Sequence, residues 1–230
     1  MARYLPHDSY YRKARARGLP SRAAFKIEEL LARFRLAPPG SRVVDLGCAP
    51  GGWLSVLARA VGPKGRAVGV DLAFCPNPPA GAVTLIGDIR DAAVRARVGA
   101  ELGAMADLVT SDLAPKLSGI PERDEARLLE LAASALDFAQ AALKPGGAMV
   151  VKLFMGERFG EVVARFKAHF ESAEVTRTRA TRPGSSELYL VARGFRAAPG
   201  RGVPCDVRDA GAKAHRPAAG GKGRRPEAES

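Results

Sequence analysis

Apolar and polar positions change period repeatedly along the chain, and the changes mark out alternating strands and helices. From Ser21 to about Phe34, the residues Ala24, Ile27, Leu30 and Leu31 fall on one face at helical spacing, with Ser21 placed to cap the start. Short apolar runs then read as buried strands at Arg42–Leu46, Arg66–Asp71, Val83–Ile86, Ala106–Ser111 and Ala148–Phe154, with helical patterns between most of them. The longest helical pattern runs from about Glu122 to Leu143 and meets Lys144-Pro145-Gly146-Gly147, a stop signal. After a further helix over Phe159–Phe170 come two β-like runs, Ala173–Thr178 and Glu187–Ala192. Only RATRPGSS joins them, too short for a crossover helix, so they are predicted to pair antiparallel. The pattern predicts an α/β fold with a mostly parallel seven-stranded sheet, an antiparallel strand, and helices on both faces.

The ends of the chain have a different character. The 230 residues carry a net charge of +12, distributed unevenly. Residues 1–27 hold seven Lys/Arg against one Asp, or +6; residues 196–230 hold eight against four acids, or +4; the 168 between hold only +2. Basic ends on a nearly neutral core suit a polyanion such as nucleic acid, although basic ends also simply solubilise. Near the N-terminus, Tyr10, Tyr11 and Phe25 interleave with Arg12, Lys13, Arg15, Arg17 and Arg22, a mixture that holds single-stranded RNA by stacking and phosphate contacts. From Ala197 onward Gly, Pro, Ala and charge dominate, which predicts a disordered tail. The expected organisation is a basic RNA-binding segment over residues 1–20, a catalytic domain over 21–195 and a basic tail over 196–230.

Composition narrows the rest. No segment is apolar enough to cross a bilayer, and the N-terminus lacks the apolar core of a secretory signal. Cys48, Cys75 and Cys205 show no C-x-x-C spacing and the three histidines are scattered, so no metal site is expected. A reducing cytoplasm fits best, and nothing in the sequence demands more than a monomer.

The stretch VVDLGCAPGGWLSVLA, Val43 to Ala58, joins a strand to a helix through a glycine-rich turn. Ligands of open α/β sheets bind at such strand ends, where glycine lets backbone come close. The turn is neither G-x-G-x-x-G nor a phosphate loop ending in G-K-[ST]. It suits an adenosine ligand without pyrophosphate, of which S-adenosylmethionine (SAM) is the obvious one, or else it is a tight turn alone. Polar residues mark the other strand ends. Asp71, some twenty residues on, is placed to accept ribose hydroxyls; Asp88 in GDIRD could accept from an adenine amino group; Asp112 ends the fourth strand. Lys152 lies inside the apolar run VVKLF, where an unpaired ammonium is expensive, and Asp112 is its expected partner.

The blocks DLGCAPGGW, GVDL, GDIRD, SDLAPKLSG, LKPGG, VVKLF and SSELYLVA, in that order, resemble the FtsJ/RrmJ family of SAM-dependent RNA ribose 2′-O-methyltransferases, especially its bacterial branch acting on large-subunit ribosomal RNA. The likeness spans residues 8 to 195 or so. It implies a Rossmann-like class I SAM-dependent methyltransferase fold, a catalytic tetrad at Lys26, Asp112, Lys152 and Glu187, and SAM contacts at Gly51, Trp53, Asp71, Asp88 and Asp112. It also implies 23S ribosomal RNA, within the large subunit, as partner and a uridine as target. One departure stands out: SDLAPKLSG carries Lys116 where the family usually has asparagine. A ribose hydroxyl is a weak nucleophile, so the chemistry needs alignment and a group to take one proton, the role the resemblance gives Lys152. Rival readings are a tRNA ribose methyltransferase, a non-catalytic RNA-binding assembly factor and a nicotinamide-dependent oxidoreductase, the last disfavoured by the missing fingerprint glycines.

Overall fold

A computed structural model describes residues 23–197 apart from positions 77, 117 and 183. The basic segment 1–20, the proposed cap Ser21 and most of the tail lie outside the described residues. The chain divides into Met1–Pro199 and Gly200–Ser230, and the described residues belong to the first unit. In chain order the elements are α1 (Ala24–Phe34), β1 (Arg42–Leu46), α2 (Gly52–Val61), β2 (Arg66–Asp71), β3 (Ala82–Ile86), α3 (Ala92–Leu102), β4 (Ala106–Ser111), α4 (Pro121–Ala142), β5 (Leu143–Phe154), α5 (Phe159–Lys167), β6 (Phe170–Thr176) and β7 (Glu187–Phe195).

The seven strands form one sheet in the order β3-β2-β1-β4-β5-β7-β6. All neighbours pair in parallel except β7, which runs antiparallel to both β5 and β6. Alternate side chains of each strand feed two cores, because successive residues point to opposite faces. Val44, Val68, Val109, Met149 and Leu190 pack under α3, α4 and α5. Val43, Ala67, Leu108, Val150 and Tyr189 pack under α1 and α2. Each fully buried aliphatic such as Ile27 of α1 or Leu57 of α2 contributes about 1.5–3 kcal/mol, so both helix layers are anchored firmly.

Local chemistry sets the boundaries. Asp91 caps α3 by accepting from the Ala93 N–H at 2.8 Å, and Gly103 ends that helix in the left-handed region at φ 69°. Pro121 opens α4. The largest departure from expectation falls at Lys144-Pro145-Gly146-Gly147, read as a stop followed by a later strand. Here α4 ends at Ala142 and β5 begins at once at Leu143, with the Pro-Gly-Gly residues absorbed as an irregularity between the Ala106 and Leu108 pairings. Helix α5 ends at Lys167, three residues short of expectation, because Phe170 is taken up by β6; β7 runs on to Phe195, where Phe170 pairs with it.

The chain leaves β1 for β2 on one side and returns to β4 on the other. This reversal opens a crevice at the carboxyl ends of β1 and β4, the general ligand position of such sheets.

Candidate active site

Two loops meet in that crevice. The turn after β1 is tied to its neighbour by the Gly47 N–H, which donates to the Val70 carbonyl at 2.8 Å, while the Asp112 N–H donates to the Leu46 carbonyl at 3.0 Å. Gly47 adopts φ +78°, and a Cβ there would meet Leu113 Cδ2 at 3.0 Å and the Leu113 backbone nitrogen at 3.1 Å. Only glycine allows this approach. Gly51, at φ 105°, precedes α2 without a capping side chain, so the helix start presents backbone rather than side chain.

Asp71 closes the turn from β2. Its Oδ2 accepts the Ala49 N–H at 2.9 Å and its Oδ1 accepts the Ala73 N–H at 2.8 Å. Each oxygen keeps a lone pair, so the carboxylate can still receive hydroxyl donors such as those of a ribose. A backbone-lined turn beside an acid with spare acceptor sites fits an adenosine ligand.

Four charged side chains gather beside this crevice in two ion pairs. Lys152 of β5 donates from Nζ to Asp112 Oδ1 at 2.5 Å and to the Asp112 carbonyl at 2.9 Å. Lys26 of α1 donates from Nζ to Glu187 Oε1 at 2.5 Å, and the Tyr189 hydroxyl donates to the same oxygen at 2.6 Å. Register explains the gathering. Lys152 pairs with Tyr189 and Phe154 with Glu187 across the β5–β7 ladder, and residues two apart share a face. Side-chain exposure is 10% for Lys152 and 13% for Lys26, so both ammonium groups sit mostly out of water.

The carboxyls respond to this setting in opposite directions. Burial pushes Asp112 above the ordinary carboxylate range, with Lys152 and Lys26 opposing the shift. Burial also favours neutral Glu187, but Lys26, Tyr189 and Lys152 together overcome it and hold Glu187 below its ordinary value. Each lysine thus acts on the partner of the other, and the two pairs form one electrostatic unit.

Two further residues that the resemblance gives as SAM contacts have protein partners. Both oxygens of Asp88 face Arg90, which contacts Oδ1 through its backbone N–H at 2.9 Å and Nε at 3.0 Å, and Oδ2 through Nε at 3.1 Å and Nη2 at 2.6 Å. Those contacts fill a carboxylate's acceptor sites, so a ligand amino group has to displace part of the guanidinium. Trp53 is 2% exposed. Its Nε1–H donates to the Ala23 carbonyl at 3.0 Å and its ring lies 5.9 Å from that of Tyr189, so the indole is committed to the protein interior. Lys116 is exposed on the β4–α4 loop, and its carbonyl accepts from Arg127 Nη1 at 3.2 Å.

Tyr189 and Asp45 did not stand out as site residues in the sequence. Tyr189 looks like one more apolar strand position, and only the register shows its hydroxyl reaching Glu187. Asp45 reads as a strand-edge marker, yet it is wholly buried in β1. Beyond Lys152, a cleft of about 500 Å³ opens between α4, α5 and the ends of β4 and β5, walled by Leu113, Pro115, Leu128, Met155 and Phe159. Among the described residues no group of three or more His, Cys, Asp or Glu could hold a metal ion, and no helix is long and apolar enough to cross a membrane.

A crevice at a sheet's reversal point, floored by glycines and flanked by a lysine–carboxylate pair, suits an enzyme that works on a nucleoside-containing ligand. The chain belongs to the FtsJ-like methyltransferase family, whose model matches residues 19–195. Relatives named ribosomal RNA large subunit methyltransferase E include one from Methanoculleus marisnigri, 46% identical over 192 residues that make up 82% of this chain and 92% of the relative. Another, from Myxococcus xanthus, is 45% identical over 189 residues, covering 82% of this chain and 89% of its own. Among solved structures, one described as a putative ribosomal RNA methyltransferase from Plasmodium falciparum superposes with a TM-score of 0.69 at 26% identity, covering 77% of this chain and 99% of that one.

Proposed function

We propose that this protein transfers a methyl group from SAM to the 2′-hydroxyl of a uridine ribose in 23S ribosomal RNA of the large ribosomal subunit, acting as a monomer in the cytoplasm. The observation that carries the reading is Lys152, mostly buried, held by Asp112 at the border of the glycine-floored crevice and a cleft large enough for a nucleoside. Relatives at 46% and 45% identity bear the name of a large-subunit ribosomal RNA methyltransferase, which supports the choice of substrate.

Gly51, Trp53, Asp71, Asp88 and Asp112 are the residues proposed to hold SAM, with Asp71 taking the ribose hydroxyls. When bound, SAM supplies a methyl group already activated as an electrophile. The protein has to align the acceptor, which is worth up to about 7–11 kcal/mol, and to manage one proton. As the methyl carbon–oxygen bond forms, Nζ of Lys152, once free of the proton it carries in its pair with Asp112, takes the 2′-hydroxyl proton. Asp112 fixes that amine and stabilises the ammonium it becomes. Lys26, oriented by Glu187 and Tyr189, offsets negative charge developing on the ribose oxygen. The basic segment 1–20 and the tail 196–230 are proposed to add phosphate contacts.

Lys152→Ala tests the assignment on purified large subunits at saturating SAM. Loss of a positioned proton acceptor lowers turnover by about 10²–10⁴ while SAM affinity stays within a few-fold. Near-normal turnover in a variant that still binds SAM removes Lys152 from the mechanism.

A further inference from the structure

Asp45 has no part in the steps above, yet it is the most poorly accommodated polar group in the described structure. It is 0% exposed, and its Oδ2 is the only buried side-chain nitrogen or oxygen among the described residues that lacks a hydrogen-bond partner. Register sets Asp45 between Gly69 of β2 and Thr110 of β4. Cys48 and Leu54 roof the same face, since a Cβ on Gly69 would strike Cys48 Sγ and Leu54 Cδ2, each at 2.7 Å. The titratable groups facing it are Asp71 at the end of β2, Asp112 at the end of β4 and Cys48 in the turn. All three are acids.

Proton placement around Thr110 favours a neutral Asp45. Thr110 Oγ1 lies 2.7 Å from Asp45 Oδ1 and 3.3 Å from the Val44 carbonyl oxygen. A hydroxyl has one hydrogen. With Asp45 ionised, Thr110 satisfies the carboxylate and the Val44 contact is left empty. With Asp45 protonated, the acid donates to Thr110 and Thr110 donates onward to Val44, so both contacts are filled. Burial, with Asp112 and Asp71 adding and Thr110 and the Leu54 backbone N–H opposing, raises the Asp45 carboxyl to about 8.

We propose that Asp45 is a positioning residue that senses the charge of the donor: neutral in the free protein, it releases its proton when a sulfonium ligand binds at the neighbouring strand ends and regains one when that sulfonium has become a thioether. The inference rests on the SAM reading above. Its consequence is a one-charge preference for the methyl donor over its demethylated product, which helps the product leave.

The test is binding by titration calorimetry of SAM and of S-adenosylhomocysteine at pH 7 and pH 9, to wild type and to Asp45→Asn. The sulfonium lowers the α-amino group of SAM relative to that of S-adenosylhomocysteine, so the pH trend is read as wild type against Asp45→Asn, which shares those ligand titrations. Relative to the variant, the wild-type ratio in favour of SAM rises about tenfold from pH 7 to pH 9, because Asp45 is mostly protonated at the lower pH and mostly ionised at the higher. Equal pH trends in wild type and variant overturn the proposal. Carbon-13 NMR of the Asp45 carboxyl in the ligand-free wild type checks it without any substitution: titration near pH 8 is expected, and titration below pH 5 overturns it. Failure of both nucleosides to bind is a different outcome, one that overturns the donor reading itself.

Discussion

Removing one oxygen atom from the site, by Tyr189→Phe, isolates how Glu187 is held. The Tyr189 ring is fully buried, so the variant keeps the packing and loses only the hydroxyl that donates to Glu187 Oε1 at 2.6 Å. A hydrogen bond to an ionised acceptor is worth about 1.5–3 kcal/mol, against about 0.5–1.5 kcal/mol for one between neutral groups. Lys26 still pairs with Glu187 in the variant, so no carboxylate is stranded and the pH-dependent part of the loss is that of the bond to Glu187. Glu187 is held below its ordinary value of 4.5. A carboxyl lowered on folding adds stability above its unfolded value and loses it as pH falls through the folded one. The gap between wild type and variant is therefore full at pH 7 and shrinks toward the neutral value only as pH falls below 4.5, through the folded-state values. Urea unfolding at pH 7 and at a series of lower pH values, to the limit at which the protein stays folded, measures it. In a Glu187→Gln background the same hydroxyl meets a neutral acceptor, and Tyr189→Phe then costs about 1 kcal/mol across the series. A cost that is independent of pH in wild type and unchanged by Glu187→Gln refutes the picture of Glu187 as an ionised carboxylate gripped by Tyr189.

Two further outcomes follow from the same physical arguments. Gly47→Ala forces a side chain into φ +78° and against the Leu113 backbone, so it destabilises by about 1–2 kcal/mol or more in thermal unfolding and weakens SAM binding by calorimetry; unchanged SAM affinity contradicts the close approach of the two loops. Deleting residues 197–230 removes seven basic side chains, counting from Arg201, and flattens the salt dependence of RNA binding while single-turnover methyl transfer persists; an unaltered salt slope rules out the tail as a source of phosphate contacts.

Much of this arrangement is legible in the amino-acid order because burial imposes strict rules. Val43 and Val44 predict β1, since adjacent strand residues must fill opposite cores, and both do. Lys152 in an apolar run calls for an acid, and Asp112 supplies it at 2.5 Å. The same rule applied to Asp45 would have singled it out, but an acid two residues before a glycine looks like the edge of a strand rather than its interior. Tyr189 and Lys26 depend on tertiary placement. Nothing local says that a helix lysine meets a strand glutamate 161 residues away. Asp88 shows the converse: its partner Arg90 is only two residues on, and the local D-x-R grip competes with the long-range ligand contact assigned to it. At Leu143 the helix passes straight into β5 because Pro-Gly-Gly can bulge within a strand as readily as it can end a helix.

The account's central claim is that Lys152 serves methylation of a ribose hydroxyl in large-subunit ribosomal RNA. The most direct measurement is methyl transfer from radiolabelled SAM to large subunits purified from a strain lacking its own enzyme, with free ribosomal RNA and bulk tRNA alongside and the modified nucleoside identified afterwards. The account predicts label in a 2′-O-methyluridine of the large subunit, lost with Lys152→Ala. Label confined to tRNA, or none in any acceptor despite tight SAM binding, contradicts it.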